Sequence, residues 1–217
     1  MSRLYSVHVA KAGGTSLATA LAAAYGEAFH GQYDDGPANP VSRRNLDPAT
    51  AVAGRIEPPE GKLCIHGHYH PGRYALAPGD YLFTMLRPPV ENMISIYFFW
   101  KRCPGHGNPL HDYVLDAGLD VLAMARLPLL RTLYSRSYFG GFPMERFDQI
   151  ADHRNRVAAI GRLSAAIGRP LDAQIRVNET PPDPDRAAVE ADPRLLARLR
   201  DILIDDVRFF ERYAEGR

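Results

Sequence analysis

A glycine-rich segment near the amino terminus combines the residue types that bind anions. Lys11 precedes Gly13 and Gly14, and Thr15 and Ser16 follow them. Glycines let several backbone N–H groups point at one anion, a following helix directs its positive end there, and a lysine adds a full charge. The order departs from the Walker pattern, in which the lysine follows the glycines. The segment predicts a phosphate or sulfate site; the alternative is a strand-to-helix turn with a surface lysine.

An arginine and a serine that follow an apolar run form a second pattern. Residues 81–86 predict a buried strand, Arg87 follows it, and Pro88-Pro89 suits the first turn of a helix that contains Ser95. In that helix Ser95 lies about 12 Å beyond Arg87 and opposite the apolar face. The two side chains could hold one phosphate from two sides. Taken singly, they are explained by a surface arginine and by a serine bonded to its own backbone.

Three alternating histidines, His66, His68 and His70, stand at the end of another apolar run. Histidine titrates near neutral pH and suits the role of general base, which typically contributes about 10² to 10⁴ in rate. Residues at such spacing along a strand can also ligate zinc, although Gly67 and Pro71 interrupt a regular strand. Buried histidines bonded to the backbone are the third interpretation.

The first of these segments resembles a known nucleotide loop. Residues 8–17 resemble the 5′-phosphosulfate loop of the sulfotransferase superfamily, closest to the form H-x-x-K-x-G-G-T-S-L of the carbohydrate sulfotransferases. Ala12 stands where that branch most often has threonine, so one hydroxyl is missing from the loop. The branch of cytosolic sulfotransferases is a weaker match, because its late Arg-Lys-Gly segment is absent from the sequence.

The other two patterns resemble further parts of the same superfamily. Arg87 and Ser95 resemble its 3′-phosphate site, although Pro88 replaces the usual Asp or Asn. The segment from His66 to His68 is similar to the one that supplies catalytic histidines in the heparan sulfate 2-O-sulfotransferase branch. Residues 175–180 resemble a short N-x-[ST] segment that could close over the nucleotide.

The resemblance implies a sulfotransferase that moves a sulfuryl group from PAPS (3′-phosphoadenosine-5′-phosphosulfate) to a hydroxyl or amine, leaving PAP as product. It implies donor binding by Lys11, residues 13–16, Arg87 and Ser95. It also implies catalysis by Lys11, with His68 as the favoured base and His66 in a supporting or substrate-facing role. No metal is expected. The acceptor, a small molecule or a carbohydrate, is not identified by the sequence, and neither is the oligomeric state.

The predicted elements place these residues on an α/β fold. We expect a P-loop-like, three-layer single domain over 1–217, with a mainly parallel sheet between helices and a helix-rich second half. Segments 26–61 and 103–143 are predicted to be acceptor-side excursions. Four strands are predicted, at 4–9, 62–66, 81–86 and 157–160. Later helices are predicted at 110–130, 144–155 and 193–213.

Composition sets the remaining expectations. The 217 residues carry a formal net charge of +1, so no overall field attracts nucleic acid or an anionic membrane. Two cysteines make no disulfide framework, and no signal peptide or membrane span is recognised. These features favour a cytoplasmic protein without nucleic-acid or membrane partners.

Three other functions remain open at this point. A P-loop-like nucleotide kinase would need a lysine after the glycines, and that lysine is missing. A non-catalytic protein would bind PAP or another nucleotide without transferring a group. A zinc hydrolase would use the histidine cluster.

Overall fold

The computed structural model describes residues 2–34, 36–105, 107–175, 177 and 183–214. Its centre is a five-stranded sheet in the order β2-β3-β1-β4-β5, in which every neighbouring pair is parallel. The strands are β1 (Leu4–His8), β2 (Phe29–Gln32), β3 (Cys64–Gly67), β4 (Tyr81–Leu86) and β5 (Gln149–Asp152). The predicted α/β class and mainly parallel sheet are therefore confirmed.

Helices account for much of the remaining chain. In the first half they are α1 (Gly14–Tyr25), α2 (Arg43–Leu46), α3 (Pro48–Ala53) and α4 (Pro89–Arg102). The second half contains α5 (Pro109–Asp116), α6 (Val121–Ala125), α7 (Pro128–Arg131), a π-helical segment (Leu133–Tyr138), α8 (Arg156–Ile167), α9 (Pro184–Ala191), α10 (Pro193–Ile202) and α11 (Ile204–Tyr213).

The three central strands β3, β1 and β4 are buried on both faces, which explains why they read as short, nearly continuous apolar runs. Alternate residues point to opposite faces. One face, with Leu4 and Phe83, packs against α1 and α8, whereas the other, with Tyr5 and Leu82, packs against α4 and the later helices. The result is the expected three layers of helix, sheet and helix.

The parallel arrangement determines where a site can form. All five strands run in one direction, so their carboxyl ends meet at one edge of the sheet. Polar segments that follow the strands must therefore converge there, which is the usual ligand-binding edge of an open α/β sheet.

Several predicted elements are wrong. The strand predicted at 157–160 lies within α8, where Ala159, Ile160 and Leu163 place an apolar face against the sheet at helical spacing. The fifth strand is instead β5, in the region predicted as helix 144–155. Segment 26–61 contains the edge strand β2, which the sequence did not predict.

Two predicted long helices are broken. The helix predicted at 110–130 is three short helices, interrupted at Gly118, whose φ is +57°, and again before Pro128. The helix predicted at 193–213 divides at Leu203 into α10 and α11. Within the described ranges, no helix has the length and apolarity that crossing a membrane requires.

Candidate active site

A cavity of about 900 Å³ opens at the carboxyl edge of the sheet. Each strand contributes to its lining through the segment that follows it: Lys11 after β1, Tyr33 after β2, His68 after β3, Arg87 after β4 and His153 after β5. The volume is at the upper end of the roughly 300 to 1,000 Å³ that small-molecule sites occupy. The structure thus brings the three sequence patterns to one cavity.

The glycine loop forms one wall of this cavity and turns directly into α1. Gly13 has a φ of +80° and precedes the helix without a side-chain cap, so α1 begins with backbone N–H groups that no capping side chain occupies. Gly14 is required for space, since a Cβ there would lie 1.9 Å from the ring of His8. Thr15 and Ser16 also line the cavity. Ser16 Oγ accepts a hydrogen bond from the backbone N–H of Val177 at 3.0 Å.

Lys11 is held in a strained backbone conformation beside the loop. Its φ is +60°, and no other non-glycine residue in the described chain has a left-handed φ. Such a conformation costs a residue with a side chain roughly 1 kcal/mol or more. Lys11 Nζ lies 4.1 Å from the ring centroid of Phe99, and no carboxylate among the described residues forms an ion pair with it. Burial, followed by the nearby Arg102, lowers the pKa of Lys11.

Arg87 and Ser95 line the same cavity from β4 and α4. Arg87 Nε lies 3.4 Å from Glu91 Oε2, one helical turn further on, and the Arg87 carbonyl accepts a 2.7 Å hydrogen bond from Tyr134 Oη. Ser95 is 3% exposed, which places it on a buried side of α4. Asn92 Nδ2, on the same helix, donates to the Ala10 carbonyl at 2.8 Å, which ties α4 to the loop that carries Lys11.

His66 lies beneath the glycine loop and does not line the cavity. Its Nε2 lies 3.2 Å from the Gly14 carbonyl and its Nδ1 lies 2.8 Å from Ser6 Oγ. Burial lowers its pKa to about 3, so the ring is neutral near pH 7. A carbonyl only accepts, so Nε2 donates to Gly14 and Nδ1 accepts from Ser6. With both nitrogens occupied, His66 supports the loop and has no free atom to offer a substrate.

His68 is placed differently, since it lines the cavity with one nitrogen free. Its Nδ1 lies 2.5 Å from the His8 carbonyl, and Tyr138 Oη lies 3.1 Å from the same nitrogen. The Nδ1–H donates to the carbonyl, so Nε2 carries the lone pair, and no described residue is bonded to it. Burial lowers the pKa of His68, while the bond to His8 acts against that shift. A neutral ring with a fixed tautomer is the form in which histidine accepts a proton.

A stack of rings holds His68 in place. The His8 ring lies between the two neighbouring histidines, with centroids 4.3 Å from His68 and 5.2 Å from His66. Tyr33 meets His68 edge-on at 5.1 Å, and its hydroxyl lies 3.3 Å from His8 Nδ1. Burial, together with the adjacent histidines, lowers the pKa of His8 well below its ordinary value. We call His8, His66 and His68 the histidine stack.

The segment after β5 lines the cavity and was missed in the sequence. Asp152, 3% exposed, accepts hydrogen bonds from the backbone N–H and guanidinium of Arg154, which fixes that side chain at the rim. His153 lies beside the glycine loop; burial, followed by Arg87 and Arg156, lowers its pKa to about 4. The signal was the run of polar residues 152–156, but it was assigned to a helix because β5 was not recognised.

Cationic side chains outnumber acidic ones in the lining of the cavity, although Glu91 and Asp152 pair with two of the arginines. Lys11, Arg87, Arg154 and Arg156 contribute cations, whereas Asp34 is the one acidic side chain among the described lining residues. A concentration of one charge sign in a concave site raises the local concentration of the opposite charge. The cavity is therefore suited to a multiply charged anion.

The last two sequence predictions concern a metal ion and the segment 175–180. Within the described part of the chain, no group of three or more His, Cys, Asp or Glu residues is arranged to hold a metal ion. Val177 lines the cavity, but Arg176 and Asn178 to Thr180, which belong to the segment that could close over the nucleotide, lie outside the described residues. No family model matches this chain, and no curated protein sequence matches it.

Proposed function

We propose that this protein is a sulfotransferase that uses PAPS as donor and transfers its sulfuryl group to a hydroxyl or amine of an acceptor. One observation carries the proposal: the Lys11 loop, the Arg87/Ser95 pair and the free nitrogen of His68 belong to a single cavity. A donor with phosphate groups on both ends of its ribose needs two separate cationic sites. The acceptor needs a general base, and this base must lie between the two cationic sites and the open end of the cavity.

The donor's two charged ends match the two cationic sites. Lys11 and the N–H groups at the start of α1 suit the 5′-phosphosulfate, since a helix amino terminus and a lysine both favour an anion. Arg87 and Ser95 suit the 3′-phosphate, for which a guanidinium supplies charge-assisted hydrogen bonds. Arg154 and His153 line the same cavity.

The chain's own groups supply the chemistry of the transfer. His68 Nε2 accepts the proton of the acceptor as the acceptor oxygen or nitrogen bonds to sulfur. The bond between sulfur and the bridging oxygen of the 5′-phosphosulfate breaks, and the electron pair stays on that oxygen. Lys11 Nζ and the loop N–H groups stabilise the negative charge that develops on that oxygen. Hydrogen-bond donors contribute most to the rate when they act on charge that develops in the transition state. His66 keeps the loop in position through its bond to Gly14.

The test combines donor binding with group transfer. Calorimetric titration should show PAP binding more tightly than ADP or AMP, and radiolabelled sulfate should pass from PAPS to a member of an acceptor panel. Lys11→Ala should lower transfer by about a hundredfold or more, whereas the same change at Lys101, an exposed lysine on α4 outside the cavity, should not. PAP binding without transfer to any acceptor favours the non-catalytic nucleotide-binding alternative. Tighter binding of ADP than of PAP favours the kinase.

A further inference from the structure

A second, smaller cavity of about 320 Å³ is lined by arginines. Arg43, Arg44 and Arg73 contribute to it, together with His70. Asp34 lines both this side pocket and the main cavity, and it is the one acidic side chain among the described residues around the side pocket. The side pocket is therefore a cationic recess that borders the candidate active site.

Arg44 is the strongest sign that the side pocket takes an anion. This half-buried guanidinium donates through Nη2 to the carbonyl of Gly140 at 2.7 Å. In the described chain no carboxylate lies within ion-pair distance of it, and burial lowers its pKa. A cation that loses hydration without a counter-charge is destabilised, and an oxyanion in the pocket would supply that charge.

The walls of the side pocket are held in fixed positions. His70 Nε2 donates to the same Gly140 carbonyl at 3.1 Å, and its Nδ1 accepts from the N–H of Gly72 at 3.0 Å. Burial and the nearby Arg44 lower the pKa of His70 to about 4, so this ring is neutral near pH 7 and adds no charge to the side pocket. Arg73 lies 3.5 Å from the exposed carboxylate of Asp34, which lines both cavities.

The position of the side pocket relative to the strands indicates whether the donor or the acceptor would carry the anion. Its residues follow β2 and β3, whereas Arg87 and His153 follow β4 and β5 on the other side of β1. Gly36 lines the main cavity, and the next residue, Pro37, lines the side pocket. Gly36 lies against His68, since a Cβ at this glycine would be 3.7 Å from the His68 Cβ. A group in the side pocket therefore lies on the His68 side of the cavity, away from the phosphate-binding arginine.

We propose that the side pocket binds a carboxylate or sulfate group carried by the acceptor. This inference rests on the proposed sulfotransferase function, because it uses His68 to define the acceptor side. It names a substrate class, anionic acceptors, whose charged group is separated from the hydroxyl or amine that receives the sulfuryl group. Arg44 is the residue that determines this specificity.

The test uses matched probes that differ in one charged group. Methyl β-glucuronoside is compared with methyl β-glucoside, and para-hydroxybenzoate with para-hydroxybenzyl alcohol, by NMR titration in the presence of PAP. We expect the anionic member of at least one pair to bind about tenfold more tightly or better, since charge-assisted bonds to arginine are the strong ones. Arg44→Gln should remove this preference and Arg44→Lys should retain part of it. Arg198→Gln, at an exposed position on α10, should leave it unchanged.

Each further outcome decides the assignment. Equal binding within both pairs, or a preference that survives Arg44→Gln, would overturn the proposal. Inorganic sulfate that binds as tightly as the anionic probes would show a free-ion site rather than an acceptor site, which also overturns it. A parallel PAP titration separates the two proposals: Arg44→Gln should leave PAP affinity unchanged, and a wild-type protein that prefers anionic probes but ignores PAP would refute the donor assignment alone.

Discussion

The histidine stack should make this fold sensitive to mild acid. The pKa values of His8, His66 and His68 are all lowered, chiefly by burial. In the unfolded chain each ring would titrate near its ordinary pKa of about 6.5. Below that pH the unfolded chain binds protons that the folded chain excludes, so the free energy of unfolding decreases as the pH falls.

The magnitude follows from the number of rings and their burial. A ring that stays neutral in the fold costs about 1.4 kcal/mol of stability at one pH unit below its unfolded pKa. His66 is 1% exposed and should contribute this full amount. His8 and His68 are partly exposed, so we expect a loss for the stack between about 1.4 and 4 kcal/mol at about pH 5.5. His70 and His153, whose pKa values burial lowers to about 4, add to this loss, whereas Asp206, whose pKa burial raises to about 6, acts in the opposite direction and should recover about 1 kcal/mol.

Urea unfolding at about pH 7.5 and about pH 5.5 measures the net effect, and His66→Gln isolates one ring. Glutamine is neutral at both pH values and can still bond to both partners of His66. The variant should lose stability at the higher pH but should show a drop between the two pH values that is smaller by about 1.4 kcal/mol. An identical drop in the variant and the wild type would refute the conclusion that the fold excludes a proton from His66.

The other predictions concern single residues of the site. Lys11→Ala should lower turnover by about a hundredfold or more, because it removes the charge that is proposed to stabilise the leaving oxygen, whereas Lys101→Ala should have no such effect in the same transfer assay. His68→Ala should lower turnover by at least about a hundredfold while calorimetry finds PAP affinity nearly unchanged; unchanged turnover would remove this residue from the mechanism. Gly14→Ala should lower the Tm, since its Cβ would lie 1.9 Å from a histidine ring. Gly161→Ala, in an open position inside α8, should instead stabilise the protein by up to about 1 kcal/mol, and a similar change in both variants would contradict this contrast.

The fold was predictable where local sequence and burial agree. β1, β3 and β4 are central strands, so their apolar runs stand out, and the predicted bounds differ from the observed ones by at most two residues. The edge strand β2 has the sequence Phe-His-Gly-Gln, which carries no apolar alternation. The short β5 precedes a helix whose apolar face, at Ala159 and Ile160, resembles a strand in a short window.

The site was predictable at its motifs but not at its supporting residues. Glycines, lysine, arginine and histidines after apolar runs indicate an edge site, because parallel strands end together. The distinction between His66, which supports the loop, and His68, which keeps a free nitrogen, depends on tertiary contacts with Ser6 and His8. Likewise, Arg154 belongs to the cavity only because β5 pairs with β4, a contact between segments that are distant in sequence.

The central claim is that Arg87 and the Lys11 loop hold the two ends of one nucleotide. Calorimetry with PAP and AMP on the wild type and on Arg87→Ala tests it most directly, with Glu91→Gln as a control that removes the carboxylate beside Arg87 without removing the arginine. A charge-assisted contact is worth about 1.5 to 3 kcal/mol, so Arg87→Ala should weaken PAP binding by about 10-fold to 150-fold and leave AMP binding nearly unchanged. Glu91→Gln should preserve or strengthen PAP binding. Equal weakening of PAP and AMP by Arg87→Ala would contradict the account, because the 3′-phosphate would then lie elsewhere.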